Sequence, residues 1–255
     1  MGRVLAVVSQ KGGVGKTTTA INLAAASARR GTRTILVDVD PQGAVRHGIG
    51  LAPGHSTAGV ADYLNGERSV GDVVLRTALP LLGVVLAGSV SEAVQHDGYQ
   101  HQVAAGNSMR DLLMTLSHGS QLVIVDTPPG LGPIVRRVLE ASQHVIIPLQ
   151  CEPLALQTTP QMLRALQDII ALNDTLTLDG ILLTMHDEND PVCERVAGYL
   201  RSNFPAGLLF DMVVPRTSAS NDAFAAGQPV VLRSPDDAAA AAYTALASEL
   251  AERYA

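Results

Sequence analysis

The stretch that decides the fold is QKGGVGKTT, residues 10–18, which follows a short apolar run and precedes a helix-forming segment. A strand, a glycine-rich loop and a helix in this order are the usual context of a phosphate-binding loop. Gly12, Gly13 and Gly15 let backbone N–H groups face an anion, and the helix dipole directs its positive end to the same point. The sequence therefore predicts an anion site at this loop, with phosphate as the expected ligand.

The residues that close this loop carry the side chains that a phosphate chain and its metal need. Lys16 can reach β- and γ-phosphates, the Thr17 hydroxyl can bind Mg²⁺, and Thr18 is a candidate for the α-phosphate. We expect the whole loop from Lys11 to Thr18, including Val14, to line a nucleotide. The alternative is a glycine-rich turn that only caps a helix; the preceding strand, the following helix and the lysine pair argue against it.

The loop departs from the ordinary pattern GxxxxGK(S/T), because Gln10 occupies the position of its first glycine. Its form is KGGxGK(S/T), with an additional lysine at position 11. The 18 basic residues of the chain comprise 16 arginines and only two lysines, Lys11 and Lys16. In a chain that uses arginine almost everywhere else, these two positions favour a compact ammonium over a planar guanidinium.

The rest of the chain alternates short β-branched runs with longer helical segments, which predicts a parallel sheet wrapped by helices. We expect one domain, residues 1–255, with an α/β fold whose doubly wound, mainly parallel sheet is flanked by helices. The strands are expected at Arg3–Ser9, Thr34–Val39, Leu82–Leu86, Leu122–Asp126, His144–Pro148, Leu178–Thr184 and Leu208–Val214. The helices are expected at Lys16–Arg29, Asn107–Ser117, Pro133–Ser142, Thr159–Leu172, Pro191–Asn203 and Pro235–Arg253. For residues 43–106 we expect short helices and loops over one edge of the sheet.

Composition excludes several classes of protein. The net charge of −6 argues against coating nucleic acid by bulk charge, and 3% aromatic residues without tryptophan argue against an aromatic sugar platform. Cys151 and Cys193 form no CxxC pair, so a disulfide scaffold or zinc module is not expected. The longest apolar stretch, residues 79–87, is too short to span a bilayer, and we expect a cytoplasmic protein.

Five motifs in order resemble those of the ParA/MinD family of ATPases with a deviant Walker A loop. The first is the loop described above, and the others are VDVDPQG at 37–43, VIVDTPP at 123–129, IPLQCE at 147–152 and GQPV at 227–230. The resemblance covers essentially the whole chain, with residues 44–106 matching loosely. It implies a P-loop NTPase fold with ATP and Mg²⁺ as ligands.

Three carboxylates lie at the carboxyl ends of predicted strands. Asp126 ends an apolar strand beside the loop and is the natural partner for a water bound to the metal. Asp38 and Asp40 are two residues apart, so their side chains lie on the same side of an extended chain. The resemblance implies that Asp40 positions the attacking water and that Asp38 supports the metal site. Turn or helix capping remains the alternative for each.

The resemblance also assigns a role to Lys11, which in this family reaches across a nucleotide sandwich dimer to the partner's phosphates. Neutralisation of the chain's own phosphates is the alternative. A second implied group surrounds adenine: Met185, next to Thr184, and Pro215, next to Arg216. Ordinary strand-end positions are the alternative for these residues.

Within the family, the chain looks most similar to small Soj-like ParA partition ATPases. This likeness implies an ATP-driven homodimer that binds DNA non-specifically, associates with the nucleoid and hydrolyses ATP when a ParB-like or other adaptor stimulates it. The cargo could be a chromosome, a plasmid or another body. Arg201, Arg216 and Arg233 are candidate DNA contacts, with a solvated or salt-bridged surface as the alternative.

Two other functions stay open. A MinD-like, membrane-associated regulator would need a basic amphipathic C-terminal helix, and residues 245–255 carry one arginine against two glutamates, so no membrane partner is expected. Metal-cluster carriers and nitrogenase-reductase-like relatives normally need a cysteine pair at their dimer axis. The chain starts almost directly at its first strand, so we do not expect a helix-turn-helix for operator binding.

Overall fold

The computed structural model describes residues 1–51, 57–88, 93–104 and 106–255. Its strands form one sheet in the order β3-β4-β2-β5-β1-β6-β7-β8, in which β3 is antiparallel to β4 and all other neighbours are parallel. The strands are β1 Arg3–Val7, β2 Thr34–Asp38, β3 Leu75–Arg76, β4 Leu82–Val85, β5 Leu122–Asp126, β6 His144–Gln150, β7 Thr177–His186 and β8 Leu209–Pro215. The predicted α/β fold with a mainly parallel sheet is confirmed.

Helices cover both faces of this sheet. They are α1 Lys16–Arg29, α2 Val45–Gly48, α3 Val60–Leu64, α4 Val70–Val73, α5 Ala93–Ala104, α6 Ser108–Gly119, α7 Pro133–Glu140, α8 Pro153–Ile170, α9 Pro191–Asn203, α10 Ser218–Ala225, α11 Val230–Arg233 and α12 Ala238–Arg253. In the part of the chain that the structure describes, no helix is long and apolar enough to cross a membrane.

The core is split into two layers by the sheet, because successive side chains of a strand point to opposite faces. On β1, Val4 and Ala6 pack with α6, α7, α8 and α9, whereas Leu5 and Val7 pack with α1, α11 and α12. Strands buried on both faces are apolar throughout, as in other parallel sheets. Burial of β1 on both sides fixes the position of the loop that follows it.

Most predicted elements lie where expected, and α8 is the clearest difference. It begins at Pro153, six residues before the predicted start at Thr159. Proline is favoured in the first turn of a helix, and Pro153 occupies that position, whereas Pro160 lies inside the helix. Three further elements were not predicted: the two-residue β3, α10 and the four-residue α11.

The segment 43–106 holds the short helices α2, α3 and α4 over the β4 side of the sheet, as predicted, together with the longer α5. Part of that prediction, residues 52–56, 89–92 and 105, lies outside the described residues.

The order of strands brings the functional motifs to one place. β1 lies between β5 and β6, and β2 lies on the other side of β5. The carboxyl ends of these parallel strands therefore meet at one edge of the sheet, where ligands bind in open α/β folds.

Candidate nucleotide site

The loop between β1 and α1 has a backbone that requires two of its glycines. Gly13 and Gly15 have φ angles of 80° and 84°, in the left-handed region that side chains disfavour. Gly12 differs, because its φ is not left-handed and a Cβ added there would meet no protein atom within 4 Å. Glycine at position 12 thus leaves room beside the loop for something other than this chain, consistent with the predicted approach of a phosphate.

Side chains from three elements fix this loop. The Ser9 hydroxyl donates to the carbonyl oxygen of Lys11 at 2.9 Å, and the Thr184 hydroxyl donates to that of Val14 at 2.9 Å. On α1, the Asn22 amide donates to the carbonyl oxygen of Thr18 at 2.8 Å. The loop is therefore held in one conformation before any ligand binds, which lowers the entropy cost of binding.

The start of α1 is electropositive and lacks a capping side chain. Gly15 is its N-cap residue, no side chain accepts a hydrogen bond from the first turn, and no acidic residue lies there. Lys16, the first helical residue, is only 7% exposed. Free N–H groups, the positive end of the helix dipole and a buried ammonium together form an anion site, as the sequence predicted.

Three carboxylates lie next to this anion site. Asp38 and Asp126 occupy paired positions on β2 and β5, and both are fully buried. Asp38 accepts hydrogen bonds from the backbone N–H groups of Asp40 at 3.0 Å and Val45 at 3.2 Å. Asp40, also buried, accepts from the N–H of Gln42 at 2.9 Å. Asp38 and Asp40 thus also stabilise the turn after β2, which is the turn-capping role given above as the alternative to a role at the metal.

Burial and mutual repulsion destabilise the ionised forms of Asp38 and Asp126. Burial raises the pKa of Asp126 from its ordinary 3.8 to about 6, with Asp40 adding to the rise and Lys16 opposing it. Burial also raises the pKa of Asp38 well above its ordinary range, and the charges of Asp126 and Asp40 raise it further. A cation in this site would relieve both effects.

Asp126 is the group that fits a metal-bound water. Both of its carboxylate oxygens are buried, and neither accepts a hydrogen bond from any described residue; the Thr17 hydroxyl is near enough to lower its pKa but does not complete a bond. A buried acceptor without a partner is costly, so a missing donor is implied. Among the described residues no group of three or more carboxylate, imidazole or thiol side chains could hold a metal ion. The donor set suits Mg²⁺ that keeps most of its waters.

Asp40 also borders a cavity of about 310 Å³. Its other walls come from the segment after β5 and the start of α7, with Pro128, Pro129 and Ile134. The Thr127 hydroxyl donates to the carbonyl oxygen of Val7 at 2.8 Å and so fixes the beginning of that segment. Asp40 therefore lies between the carboxylate pair and the segment whose motif the sequence identified.

Lys11 does not point to the same place as Lys16. Its ammonium lies 2.5 Å from Oε1 of Glu152, the residue that precedes α8, and its side chain is 44% exposed. The two lysines that the sequence singled out thus have different environments, one buried at the helix start and one paired at the surface. No local sequence pattern indicates that Glu152 is the partner of Lys11.

The candidate adenine residues do lie together. Met185 and Pro215 line a cavity of about 330 Å³ that adjoins the loop at Gly15 and Thr18. Met185 has a φ of 51°, the one left-handed conformation among the described non-glycine residues. Strain of this kind is often kept at binding sites. The remaining walls are Thr184, Val214, Arg216, Thr217, Ser220, Asn221, Phe224, Ala225 and Tyr243.

Sequence reasoning missed the part of this cavity that comes from α10 and α12. Thr217 caps α10 by accepting from the N–H of Ser220 at 3.2 Å, and this TxxS pattern was the available signal. Tyr243 on α12 is buried, and its hydroxyl oxygen lies 3.4 Å from the hydroxyl oxygen of Thr19. No local pattern indicates that contact, which joins residues 224 positions apart.

The three candidate DNA contacts are exposed and lie on different elements. Arg201 lies on α9, which packs on one face of the sheet, and Arg233 ends α11, which packs on the opposite face. Arg216 follows β8 and lines the cavity at Met185 and Pro215. Their role in DNA binding stays a prediction.

The two cysteines meet, although they are 42 residues apart in the sequence. Both are buried and neither forms a disulfide, as expected. The Cys151 thiol hydrogen-bonds with that of Cys193, and burial together with this contact raises the pKa of Cys151 to about 12. The two thiols therefore lie side by side in the core, and Cys151 directly precedes Glu152 in the sequence.

A mainly parallel sheet with a glycine-rich loop after its central strand, a lysine at the following helix start and carboxylates on neighbouring strands defines a P-loop nucleoside triphosphatase. Residues 2–178 match the family described as AAA domain. With the relatives described next, this match shows that the chain belongs to the ParA/MinD family of ATPases.

The relatives match over nearly their whole length. The chromosome partitioning protein ParA of Caulobacter vibrioides is 36% identical over 254 residues, spanning 98% of this chain and 94% of that protein. The sporulation initiation inhibitor protein Soj of Bacillus subtilis is 34% identical over 261 residues, spanning 98% and 99%. Among solved structures, cobyrinic acid a,c-diamide synthase from Mycobacterium smegmatis with bound ATP analogue and magnesium has a TM-score of 0.82 at 28% identity, covering 100% of this chain and 96% of that one.

Proposed function

We propose that this chain is a partitioning ATPase: an ATP-bound homodimer that binds DNA non-specifically and is released when ATP is hydrolysed. The observation that carries the ATPase part is the start of α1, which has no side-chain cap and holds the buried Lys16. It lies beside Asp126, whose buried oxygens accept no hydrogen bond from the residues that the structure describes. Relatives named for chromosome partitioning support the biological part. In this proposal residues 1–255 act as one domain, and one sheet connects β1 to β8.

In the proposed site, the loop N–H groups and Lys16 bind the β- and γ-phosphates, and Thr18 contacts the α-phosphate. Met185 and Pro215 contact adenine in the adjoining cavity. Thr17 would bind Mg²⁺ directly, while Asp126 and Asp38 would accept hydrogen bonds from its waters. Bound Mg²⁺ supplies positive charge against the phosphate oxygens, and it stabilises the ionised carboxylates.

Hydrolysis in this site transfers the γ-phosphoryl group to water. The oxygen of a water held by Asp40 attacks phosphorus, the bond from phosphorus to the β,γ-bridging oxygen breaks, and ADP leaves with that electron pair. The proton of the water passes to phosphate or solvent. Asp40 is buried and its Oδ1 is held by the N–H of Gln42, so its carboxylate is fixed to orient a water rather than free to rotate.

Lys11 completes the site from the partner subunit in this proposal. Lys16 already supplies a cation to its own phosphates, whereas Lys11 lies at the surface, 44% exposed. Two facing triphosphates repel each other, and a lysine that crosses between subunits offsets the repulsion and the charge that develops during transfer. ATP binding would therefore be coupled to dimerisation through this one side chain.

We propose that the dimer, rather than the single chain, binds DNA. It gathers arginines from both subunits against one duplex, including the exposed Arg201 and Arg233. Dimers on DNA would place the protein on the nucleoid. A ParB-like or other adaptor would stimulate hydrolysis and return the chain to its unbound form.

The experiment is an electrophoretic shift of arbitrary duplex DNA with Mg-ATP or Mg-ADP. The proposal predicts a shift with ATP alone, weaker with Arg201→Ala or Arg233→Ala and falling steeply with salt. Arg76→Ala is the matched control, because Arg76 is exposed on β3 at the opposite edge of the sheet. Equal binding with ADP, or none with either nucleotide, would contradict the DNA-binding part.

A further inference from the structure

The contact between Lys11 and Glu152 joins the phosphate loop to the end of β6 across 141 positions of sequence. Glu152 is the N-cap residue of α8, yet its side chain accepts no hydrogen bond from that helix. Its carboxylate instead meets the Lys11 ammonium at 2.5 Å and is 25% exposed. Glu152 therefore serves Lys11 rather than the helix that it starts.

The backbone of Lys11 is held as well. Its carbonyl oxygen accepts from the Ser9 hydroxyl at 2.9 Å, so only the side chain can change direction. In the unpaired chain that side chain is directed to Glu152, not to the buried position that Lys16 occupies. A move to a partner's phosphates would require Lys11 to exchange one anion for another.

We infer that Glu152 is a positioning residue for Lys11: it holds the ammonium at the surface of the unpaired chain and competes with the partner's triphosphate for it. This inference rests on the proposed dimer. Because the ion pair must break before Lys11 can cross to the partner subunit, Glu152 opposes dimerisation. ATP presents its γ-phosphate to the crossing lysine and ADP lacks that group, so ATP competes with the carboxylate for Lys11 and ADP does so poorly.

The expected size of the effect follows from the exposure of the pair. Breaking one partly exposed ion pair lowers an association constant by about 1.5- to 5-fold. A dimer breaks two of them, so removal of the carboxylate should strengthen dimerisation by roughly 2- to 25-fold. Affinity of the single chain for nucleotide should stay unchanged, because Glu152 pairs with Lys11 at the surface and is not among the residues that line the cavity at Met185 and Pro215.

The first test is sedimentation with Mg-ATP over a range of protein concentrations. Glu152→Gln should dimerise at a severalfold lower concentration than the wild type, while Glu152→Asp, which keeps the charge, should stay closer to the wild type. Glu140→Gln is the matched control, since it removes an exposed ion pair with Arg137 elsewhere. Equal or weaker dimerisation of Glu152→Gln would overturn the inference with the proposed function intact. A wild type that never dimerises would overturn both.

The second test observes the ion pair directly in the nucleotide-free chain. With only two lysines, ¹⁵N-lysine labelling gives two side-chain ammonium signals, and Lys16 is the internal reference. Glu152→Gln should shift and broaden the Lys11 signal and leave that of Lys16 in place. An unchanged Lys11 signal would overturn the inference even where dimerisation changes, because the carboxylate would then act by another route.

Discussion

Asp38 and Asp126 are direct neighbours in register on β2 and β5, and both side chains are completely buried. Two carboxylates in this arrangement repel each other, and desolvation penalises each of them. The backbone N–H groups of Asp40 and Val45 compensate Asp38, whereas the oxygens of Asp126 have no donor among the described residues. The nucleotide-free fold therefore carries a local electrostatic cost that bound cations would remove.

This cost makes stability depend on pH. Because the folded pKa of Asp126, about 6, lies above its ordinary 3.8, the folded chain binds the proton more tightly than the unfolded chain. The group destabilises the fold increasingly as pH rises from 3.8 to 6, by up to about 3 kcal/mol above that range. Asp126→Asn should therefore raise the free energy of unfolding at pH 7.5, with a gain that shrinks towards pH 4. Urea titrations without nucleotide measure this, and a gain independent of pH would refute the assignment.

The buried lysine is expected to dominate ATP binding. Lys16→Ala removes the main cation at the start of α1, so ATP affinity should fall at least tenfold, about 1.4 kcal/mol or more. Titration with a fluorescent ATP analogue measures the change. An affinity within about twofold of the wild type would show that the phosphates lie elsewhere.

Asp40 is expected to act on hydrolysis rather than on binding. Asp40→Ala leaves the loop, Lys16 and Asp126 in place, so ATP binding and dimerisation should persist while turnover is lost and the dimer accumulates. Phosphate release and sedimentation on the same sample separate these properties. Turnover at the wild-type rate would move the hydrolytic role to another group, with Asp38 the first candidate.

The cysteine pair is expected to resist alkylation. With the pKa of Cys151 raised to about 12, only about one thiol in ten thousand is ionised at pH 8. Iodoacetamide should label neither Cys151 nor Cys193 in the folded chain within hours, and should label both in urea. Mass spectrometry of the intact protein gives the count. Rapid labelling of the native chain would contradict the buried contact.

Much of the fold could be predicted because parallel strands buried on both faces are continuously apolar. The carboxyl-end cluster followed from the same logic, since Asp38, Asp40 and Asp126 each lie at the carboxyl end of such a strand. Local patterns failed where they were ambiguous: α8 holds two prolines, and the earlier one marks its start. Helix α10 is short, with one fully buried residue, Ala223, and therefore lacks a clear apolar face.

The contacts that could not be predicted join distant parts of the chain. Lys11 with Glu152, Cys151 with Cys193, and Thr19 with Tyr243 depend on the way strands and helices are packed, not on spacing. Gly227 gives another example: it belongs to a sequence landmark, but only the structure shows why. A Cβ there would lie 2.2 Å from the Cα of Gly50, in a loop that the sequence described poorly.

The central claim is that Lys11 acts across a dimer, and the mass in solution of wild type and Lys11→Ala with Mg-ATP tests it most directly. The wild type should move from 26.6 kDa to twice that mass, whereas Lys11→Ala should bind ATP within about twofold of the wild type and remain a monomer. Lys11→Arg should restore little of the dimerisation with ATP, because the wide, planar guanidinium must pass between closely packed phosphates. A Lys11→Ala chain that dimerises with ATP as the wild type does would contradict the claim and leave Lys11 only a role at its own phosphates.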